Sequence, residues 1–405
     1  MTPRRICVVT TSRADYGLLR GLMRAIREDE ALALQVIATG MHLCPEFGLS
    51  ARDIERDGFQ IDRKIEMLLS ADSDRATTKS IGVGLLGFAD ALTELHPDLL
   101  VLLGDRFELL APAIAALLAK IPIAHIHGGE TSQGAIDEGI RHAITKLASL
   151  HFAATQAYRW RIIQMGEDPR CVFAFGAPGL DALHQVRLLT KPELVARLDF
   201  ELAAPTALVT YHPVTLEQDT ADQQIEHLLT ALLREKVRAV FTKANADAQG
   251  RLINQRVAAF CQDHPVDYRL YDNLGQQIYL SCLRHLDLMI GNSSSGLIEA
   301  PSFKLPVVNI GERQRGRIRG ANVIDVGYSV GEIVAGIRQA LSPPWWEGIR
   351  DMTNPYAGRD DGRVSFDIKE QLKQVELTEA LLKKRFYDLP PQHPLSAHPL
   401  TFAAP

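Results

Sequence analysis

The residues best suited to chemistry sit just after apolar runs. Leu288-Met289-Ile290 leads into Gly291-Asn292-Ser293-Ser294-Ser295-Gly296, followed by Leu297-Ile298-Glu299. A buried strand, a turn of small residues and a helix start would present backbone N–H groups, hydroxyls and a positive dipole end to an anion such as a phosphate. A plain N-cap needs one serine, and three between two glycines exceed that. Glu299 falls in the first two helical turns, where a carboxylate could accept ribose hydroxyls.

Acids, histidines and arginines gather at similar places elsewhere. Thr10-Thr11-Ser12-Arg13-Ala14-Asp15-Tyr16-Gly17 follows the first apolar run, so Arg13 could grip a phosphate bidentately. As a plain alternative, Asp15 is a cap and Arg13 a solvated turn residue. Leu103-Gly104-Asp105-Arg106-Phe107-Glu108 puts Asp105 after a glycine turn, as an acid, base or electrostatic group, or again a cap. His125-Ile126-His127-Gly128-Gly129-Glu130 puts two histidines on one face of an extended strand end, and Asp137 and Arg141 lie i, i+4 on a helix. Zinc or iron held by His-x-His and a carboxylate is the rival reading, but no third ligand is evident.

The second half repeats the arrangement. Val209-Thr210-Tyr211-His212-Pro213-Val214-Thr215 and Lys243-Ala244-Asn245-Ala246-Asp247 each follow an apolar run, although a lone His212 could be only a satisfied loop histidine. Gly311-Glu312-Arg313-Gln314-Arg315-Gly316-Arg317-Ile318-Arg319-Gly320 concentrates four arginines, as an anion clamp or a solvated loop. A chain of net charge -5 lacks the basic surface a nucleic-acid patch needs.

Loops of this kind must be held by rigid elements. Short β-rich runs alternate with amphipathic stretches, the pattern of βαβ units and a parallel, doubly wound sheet. Strands are expected near Ile6-Thr11, Leu34-Thr39, Leu99-Leu103, Ile121-Ile126, Leu150-Ala154 and Val172-Phe175, then near Ala207-Thr210, Ala239-Thr242, Asp267-Leu270, Leu286-Ile290, Val307-Ile310 and Val323-Val326. The break between the series carries Pro178, Pro192 and Pro205, and 405 residues suit two cores better than one. After an irregular passage, Trp345 to Arg363, a helix is expected from Phe366 to about Arg385, and then a Pro-rich, loosely ordered tail. The hydrophobic fraction, 46%, is that of a globular protein, and no stretch approaches a membrane span. The basic N-terminus has no signal-length apolar run, and five scattered cysteines without a Cys-x-x-Cys pair fit a reducing cytoplasm.

Jointly, Ser12-Arg13-Ala14-Asp15-Tyr16, Gly104-Asp105-Arg106, Arg141-His142-Ala143-Ile144-Thr145-Lys146, His212-Pro213 and the run from Gly291 to Gly296 with Arg313-Gln314-Arg315-Gly316-Arg317 resemble the hydrolysing UDP-N-acetylglucosamine 2-epimerases of sialic-acid and related nonulosonic-acid synthesis. The resemblance runs from Cys7 to about Arg385. It implies an α/β architecture of two Rossmann-like domains with a cleft between them, similar to the B-type glycosyltransferase fold. The domains would be 1–178, on the sugar and catalytic side, and 205–365, binding UDP. A C-terminal helix, 366–388, would cross back to the first domain, and beyond it the Pro-rich residues 389–405 are expected, on composition, to be a disordered tail. It implies elimination of UDP across C1-C2 and hydration of the glycal, without metal or cofactor, and a homodimer or homotetramer.

The residues carried over for UDP are Arg13, Gly17, Arg106, His212, Asn245, Ser293, Ser294, Ser295, Gly296, Glu299 and Arg313. Those for catalysis are Asp105, Glu130, Asp137, His127, Arg141 and His212. Some relatives carry a catalytic glutamate where this chain has His127, so that acid/base role falls to His127 or Glu130. The substrate expected is a UDP-activated N-acetylated amino sugar, UDP-N-acetylglucosamine giving N-acetylmannosamine and UDP, with the same reaction on UDP-N,N'-diacetylbacillosamine as the alternative. A glycosyltransferase would share the donor site, whereas a non-catalytic sensor would keep Ser293 and Ser294 without needing Asp105 or Asp137.

Overall fold

The computed structural model describes residues 2–71, 73–133, 135–214, 220–244 and 249–389. The first sheet contains β1 (Arg4–Thr10), β2 (Leu32–Thr39), β3 (Arg63–Ile65), β4 (Leu99–Leu103), β5 (Ile123–Ile126), β6 (Leu150–Ala153) and β7 (Val172–Ala174), in the order β3-β2-β1-β4-β5-β6-β7. The second contains β8 (Thr206–Thr210), β9 (Arg238–Thr242), β10 (Tyr268–Tyr271), β11 (Leu288–Gly291), β12 (Val307–Ile310) and β13 (Val323–Val326), in the order β10-β9-β8-β11-β12-β13. Every pairing is parallel. Helices cover both faces, which is why β4 is apolar throughout, β8 is apolar between its two threonines, and both are buried along their length. The reading above missed β3, an edge strand of Arg63, Lys64 and Ile65 too short and charged to show a pattern.

In each sheet the strand order reverses once, between β1 and β4 and between β8 and β11. Loops leaving neighbouring strands at such a switch point diverge to opposite faces and open a crevice. The loops carrying Arg13 and Asp105 leave β1 and β4, and those carrying His212 and the serine turn leave β8 and β11. Topology therefore supplies the crevice that the chemistry requires.

Packing joins the two units at both chain crossings. The segment holding Leu189, Leu194, Leu198 and Phe200 packs into the second core beside Leu208 and Val240. On the return, helix Val364–Gln374 buries Val364, Ile368 and Leu372 in the first core, against Leu19, Leu22 and Met23. Asp181 accepts from the N–H groups of Val364 at 3.0 Å and Ser365 at 2.6 Å, filling two of the donors that a helix start leaves unpaired. Lys369 and Lys373 each bond Asp29, at 3.0 and 2.9 Å. This crossing helix stops at Gln374, well short of Arg385, and a second short one spans Glu379–Leu382. A helix of this kind lasts while its apolar stripe has a core to cover, and residues 376–380 are exposed. The passage after Pro343 is also more ordered than expected, with a helix over Pro343–Gly348. The Pro-rich tail from 390 onward lies outside the described residues. No described helix is long and apolar enough to cross a membrane.

Replacing Asp181 with Ala would strand two buried N–H groups. We expect the loss of this cap to cost ~2 kcal/mol of stability, read as a lower urea midpoint, with UDP affinity of the folded protein unchanged.

Candidate active site

A cavity of about 680 Å³ opens between the sheets, lined from the first domain by Arg13, Gly17, Asp105, Arg106 and Asp137, and from the second by His212, Ser293, Ser294, Ser295, Glu299 and Arg313. Eleven residues expected at the ligand thus meet at one space. Asn245 lies outside the described residues. His127, Glu130, Arg141 and Gly296 do not line the cavity but stand behind its wall. Gly296 is there for packing, because a Cβ would sit 2.8 Å from Val307 Cγ1.

The second-domain wall is organised by a residue not singled out above, Asn292. Its side chain accepts from the His212 N–H and donates to the His212 carbonyl, both at 2.7 Å. Its own carbonyl accepts from Arg313 Nη1 at 3.2 Å and Gln314 Nε2 at 2.8 Å. One buried amide therefore sets the positions of His212, Arg313 and the serine turn together. Gly291 has φ +136, and a Cβ there would lie 2.0 Å from the Thr210 carbonyl oxygen, so the turn requires glycine. The helix after it is only Ser295–Ile298 before a 3-10 turn over Ala300–Phe303, because Pro301 has no N–H to continue the ladder. So short a helix brings little dipole. An anion here would rest on N–H groups, hydroxyls and the guanidiniums of Arg13 and Arg313. Burial pushes the Glu299 carboxyl up and the His212 imidazole well down, the latter helped by Arg313, Arg106 and Arg13. His212 is therefore neutral near pH 7.

The first-domain wall is a charge cluster. Gly104, at φ +87, turns the chain after β4, its N–H bonding Ile126 at 2.9 Å and its carbonyl accepting from His125 Nε2 at 2.7 Å. The next residue, Asp105, pairs with Arg141, and Arg317 comes from the second domain to 3.6 Å. Burial, the largest influence, pushes the Asp105 carboxyl up, but Arg141, Arg317 and Arg313 outweigh it and hold it at about 2. Arg141 also bonds Glu138 at 3.0 Å and Ser132 Oγ at 2.7 Å. Its ion-pair partners are thus Asp105 and Glu138, where the i, i+4 spacing pointed to Asp137. The i, i+3 spacing to Glu138 was equally visible in the sequence.

His125 and His127 do not share a face. Strand β5 ends at Ile126, and His127 turns left-handed, at φ +65. His125 is wholly buried, which drives its pKa down to about 3, and Thr145 Oγ1 lies 3.1 Å from its Nδ1. With both nitrogens engaged it is a scaffold residue. His127 Nδ1 donates to Glu130 Oε1 at 2.6 Å, leaving Nε2 without a partner among the described residues. Burial pushes Glu130 up, yet Arg317 and then His127 hold it below the usual carboxylate range. Among the described residues no three His, Cys, Asp or Glu side chains gather as metal ligands.

The four arginines after β12 divide by role. Arg315 pairs with Glu312 at 2.8 Å and Arg319 with Asp325 at the surface, while Arg313 faces the cavity and Arg317 enters the carboxylate cluster. Sequence position alone could not separate a clamp from a solvated loop, because both readings are correct for alternate residues.

Two parallel α/β units enclose a cleft with guanidiniums and hydroxyls on one wall and the ionised Asp105 carboxylate on the other, an architecture suited to an enzyme with an anionic substrate. The profile of the UDP-N-acetylglucosamine 2-epimerase family matches residues 24–373. The chain is 44% identical to the GDP/UDP-N,N'-diacetylbacillosamine 2-epimerase (hydrolyzing) of Campylobacter jejuni over 80% of this chain and 85% of that protein. It is 39% identical to the UDP-N,N'-diacetylbacillosamine 2-epimerase (hydrolyzing) of Legionella pneumophila over 94% and 98%. The fold matches the UDP-GlcNAc 2-epimerase of Neisseria meningitidis, solved bound to UDP-GlcNAc, with TM-score 0.75 at 17% identity, covering 91% of this chain and 99% of that one. The chain belongs to the UDP-N-acetylglucosamine 2-epimerase family, on its hydrolysing side.

Gly291→Ala would drive a methyl group into the Thr210 carbonyl. The expected cost is roughly 3 kcal/mol in stability together with loss of UDP binding, checked by thermal melting and calorimetry.

Proposed function

We propose that this enzyme converts UDP-N,N'-diacetylbacillosamine into UDP and the C2-inverted free sugar. The carrying observation is the 44% and 39% identity to relatives named for that substrate. Two apolar residues, Met41 and Leu103, are among the first-domain residues lining the cavity, which suits a 6-deoxy sugar. UDP-N-acetylglucosamine is the second reading, since both substrates present the same nucleotide to the second domain and the Neisseria meningitidis structure holds it.

The C2 proton has no neighbouring carbonyl to acidify it, so breaking the C1–O bond must lead. The electron pair leaves with the diphosphate, received by Arg13, Arg106, Arg313 and the serine turn, with neutral His212 as a further donor. Positive charge growing at C1 is met by the Asp105 carboxylate, which its guanidinium neighbours keep ionised. Of the carboxylates carried over for catalysis, Asp105 and Asp137 reach the cavity, and we assign them the C2 proton transfers. One removes the C2 proton as the C1=C2 bond forms. The other, carrying a proton taken from solvent, then returns it to C2 from the opposite face as water oxygen adds to C1, and the proton that the water loses passes back to that same carboxylate. His127 and Glu130 act from behind the wall, through the cluster.

The free sugar is of the kind used in nonulosonic-acid synthesis, and the five free cysteines suit a cytoplasmic enzyme. A homo-oligomer is supported by the exposed Val83, Leu86, Leu117 and Leu118 on the packed helices Asp74–Leu95 and Leu110–Leu118, where Leu86 and Leu118 are 72% and 74% exposed. Leu86→Glu with Leu118→Glu is expected to yield a monomer by light scattering, and an unchanged mass excludes this face.

Both UDP sugars offered in heavy water, with products followed by NMR, test the reaction. We expect UDP release and deuterium at C2 of the inverted sugar, faster with the diacetamido substrate. Faster turnover of UDP-N-acetylglucosamine would reverse the substrate reading, and no turnover of either would end it. Asp105→Asn should lower kcat by ~1,000-fold while sparing UDP affinity.

A further inference from the structure

The loop after β12 serves two places at once. Arg313 faces the cavity and is tied to the Asn292 carbonyl, while four residues on Arg317 leaves the second domain and enters the first. Its Nε donates to the Thr131 carbonyl at 2.8 Å, and its Nη2 lies 3.3 Å from Glu130 Oε2 and 3.6 Å from Asp105 Oδ2. The side chain is only 8% exposed. It does not line the cavity, and its fork is already spent on first-domain acceptors, so it is poorly placed to hold the diphosphate itself.

The backbone around it is fitted to the first domain. Gly316 has φ +80, and a Cβ there would lie 2.9 Å from both Thr131 Oγ1 and Gln133 Nε2. The Ile318 N–H donates to Tyr158 Oη at 2.8 Å, and Tyr356 Oη donates to the Ile318 carbonyl at 2.8 Å. These bonds fix the depth to which Arg317 penetrates. A residue needed only for surface adhesion between domains would not be buried against two carboxylates of the reaction cluster.

We propose that Arg317 is a positioning residue of the reaction, tying the loop that receives the nucleotide to the alignment of Asp105 and Glu130 across the domain junction. This rests on reading Asp105 as a group at the sugar. With Arg317 present, two guanidiniums, Arg141 and Arg317, face Asp105, Glu130 and Glu138. Without it, three acids share Arg141, and His127 alone remains bonded to Glu130. The other groups close by are Arg313 and the neutral His125 toward Asp105, the phenols of Tyr158 and Tyr356 toward Glu130, and the buried Glu299 carboxyl, which both His127 and Arg317 favour in its charged form. Removing a cation that holds carboxyl pKa values down must raise them, so activity that needs an ionised carboxylate should fail at a higher pH.

The test uses the full-length enzyme with whichever nucleotide sugar it turns over, and measures UDP affinity separately by calorimetry. For Arg317→Met we expect UDP affinity within about threefold of the parent, kcat lower by roughly 100-fold at similar KM, and the acid limb of the kcat profile displaced to higher pH. Arg317→Lys, with the charge but not the fork, should recover about tenfold of that loss and bring the limb back toward the parent. An unchanged kcat in the methionine variant overturns the proposal. So does a loss of UDP affinity as large as the loss of kcat, which would make Arg317 a nucleotide ligand. If the methionine variant does not fold, the lysine variant decides: a roughly tenfold fall in kcat at unchanged UDP affinity supports the proposal, and parent kcat with a parent pH profile overturns it. Failure of the underlying reading shows separately, as full turnover by Asp105→Asn.

Discussion

Three carboxylates, Asp105, Glu130 and Glu138, are held beside two guanidiniums, Arg141 and Arg317, at the junction of the two sheets. Charges taken out of water are tolerable only when paired and hydrogen-bonded, and losing one partner leaves the rest strongly destabilised. Arg141 is wholly buried and Arg317 nearly so, so each must find its acceptors within the protein. Because Arg317 comes from the second domain and the acids from the first, the cluster is complete only when the domains are docked. The glycine at 316 and the Tyr158–Tyr356 pair, 2.9 Å apart at their hydroxyls, follow from that requirement.

The opposite wall relies on backbone rather than on charge pairing. Asn292, buried in the turn, uses its side chain to fix His212 and its carbonyl to fix Arg313 and Gln314, so three separate strand-end loops become one surface. A wall of N–H groups, hydroxyls and cavity-facing arginines is suited to an anion that arrives bound and departs with more charge. A wall of ionised carboxylates is suited to the sugar carbon left behind. A cleft with both walls would separate charge along a bond broken between them, an arrangement that a domain junction offers and neither sheet offers alone.

Much of this was legible in the chain. Apolar runs such as Leu99–Leu103 and Ala207-Leu208-Val209 announce strands buried on both faces, and the polar clusters that follow them sit where strand order reverses. The edge strand Arg63–Ile65 was not legible, because three residues with two charges carry no period. Nor was the end of the crossing helix at Gln374, which depends on where the first core stops being available. The shared face expected for His125 and His127 fails because the backbone turns left-handed at His127, a departure set by the Gly128-Gly129 turn and its packing on Tyr158 and Ile162.

By itself, the sequence determined the order of elements, the identity of the chemical loops and the family, since these follow from local periodicity and from residue types at short spacing. Only the tertiary structure decided which charged groups pair and which stay open to a ligand. Arg141 takes Asp105, 36 residues away, and Arg317 reaches across from the other sheet, while Arg315 and Arg319 on the same loop stay near the surface. The reason is physical: burial and partner geometry fix the state of an ionisable group, and both are made by residues distant in the chain.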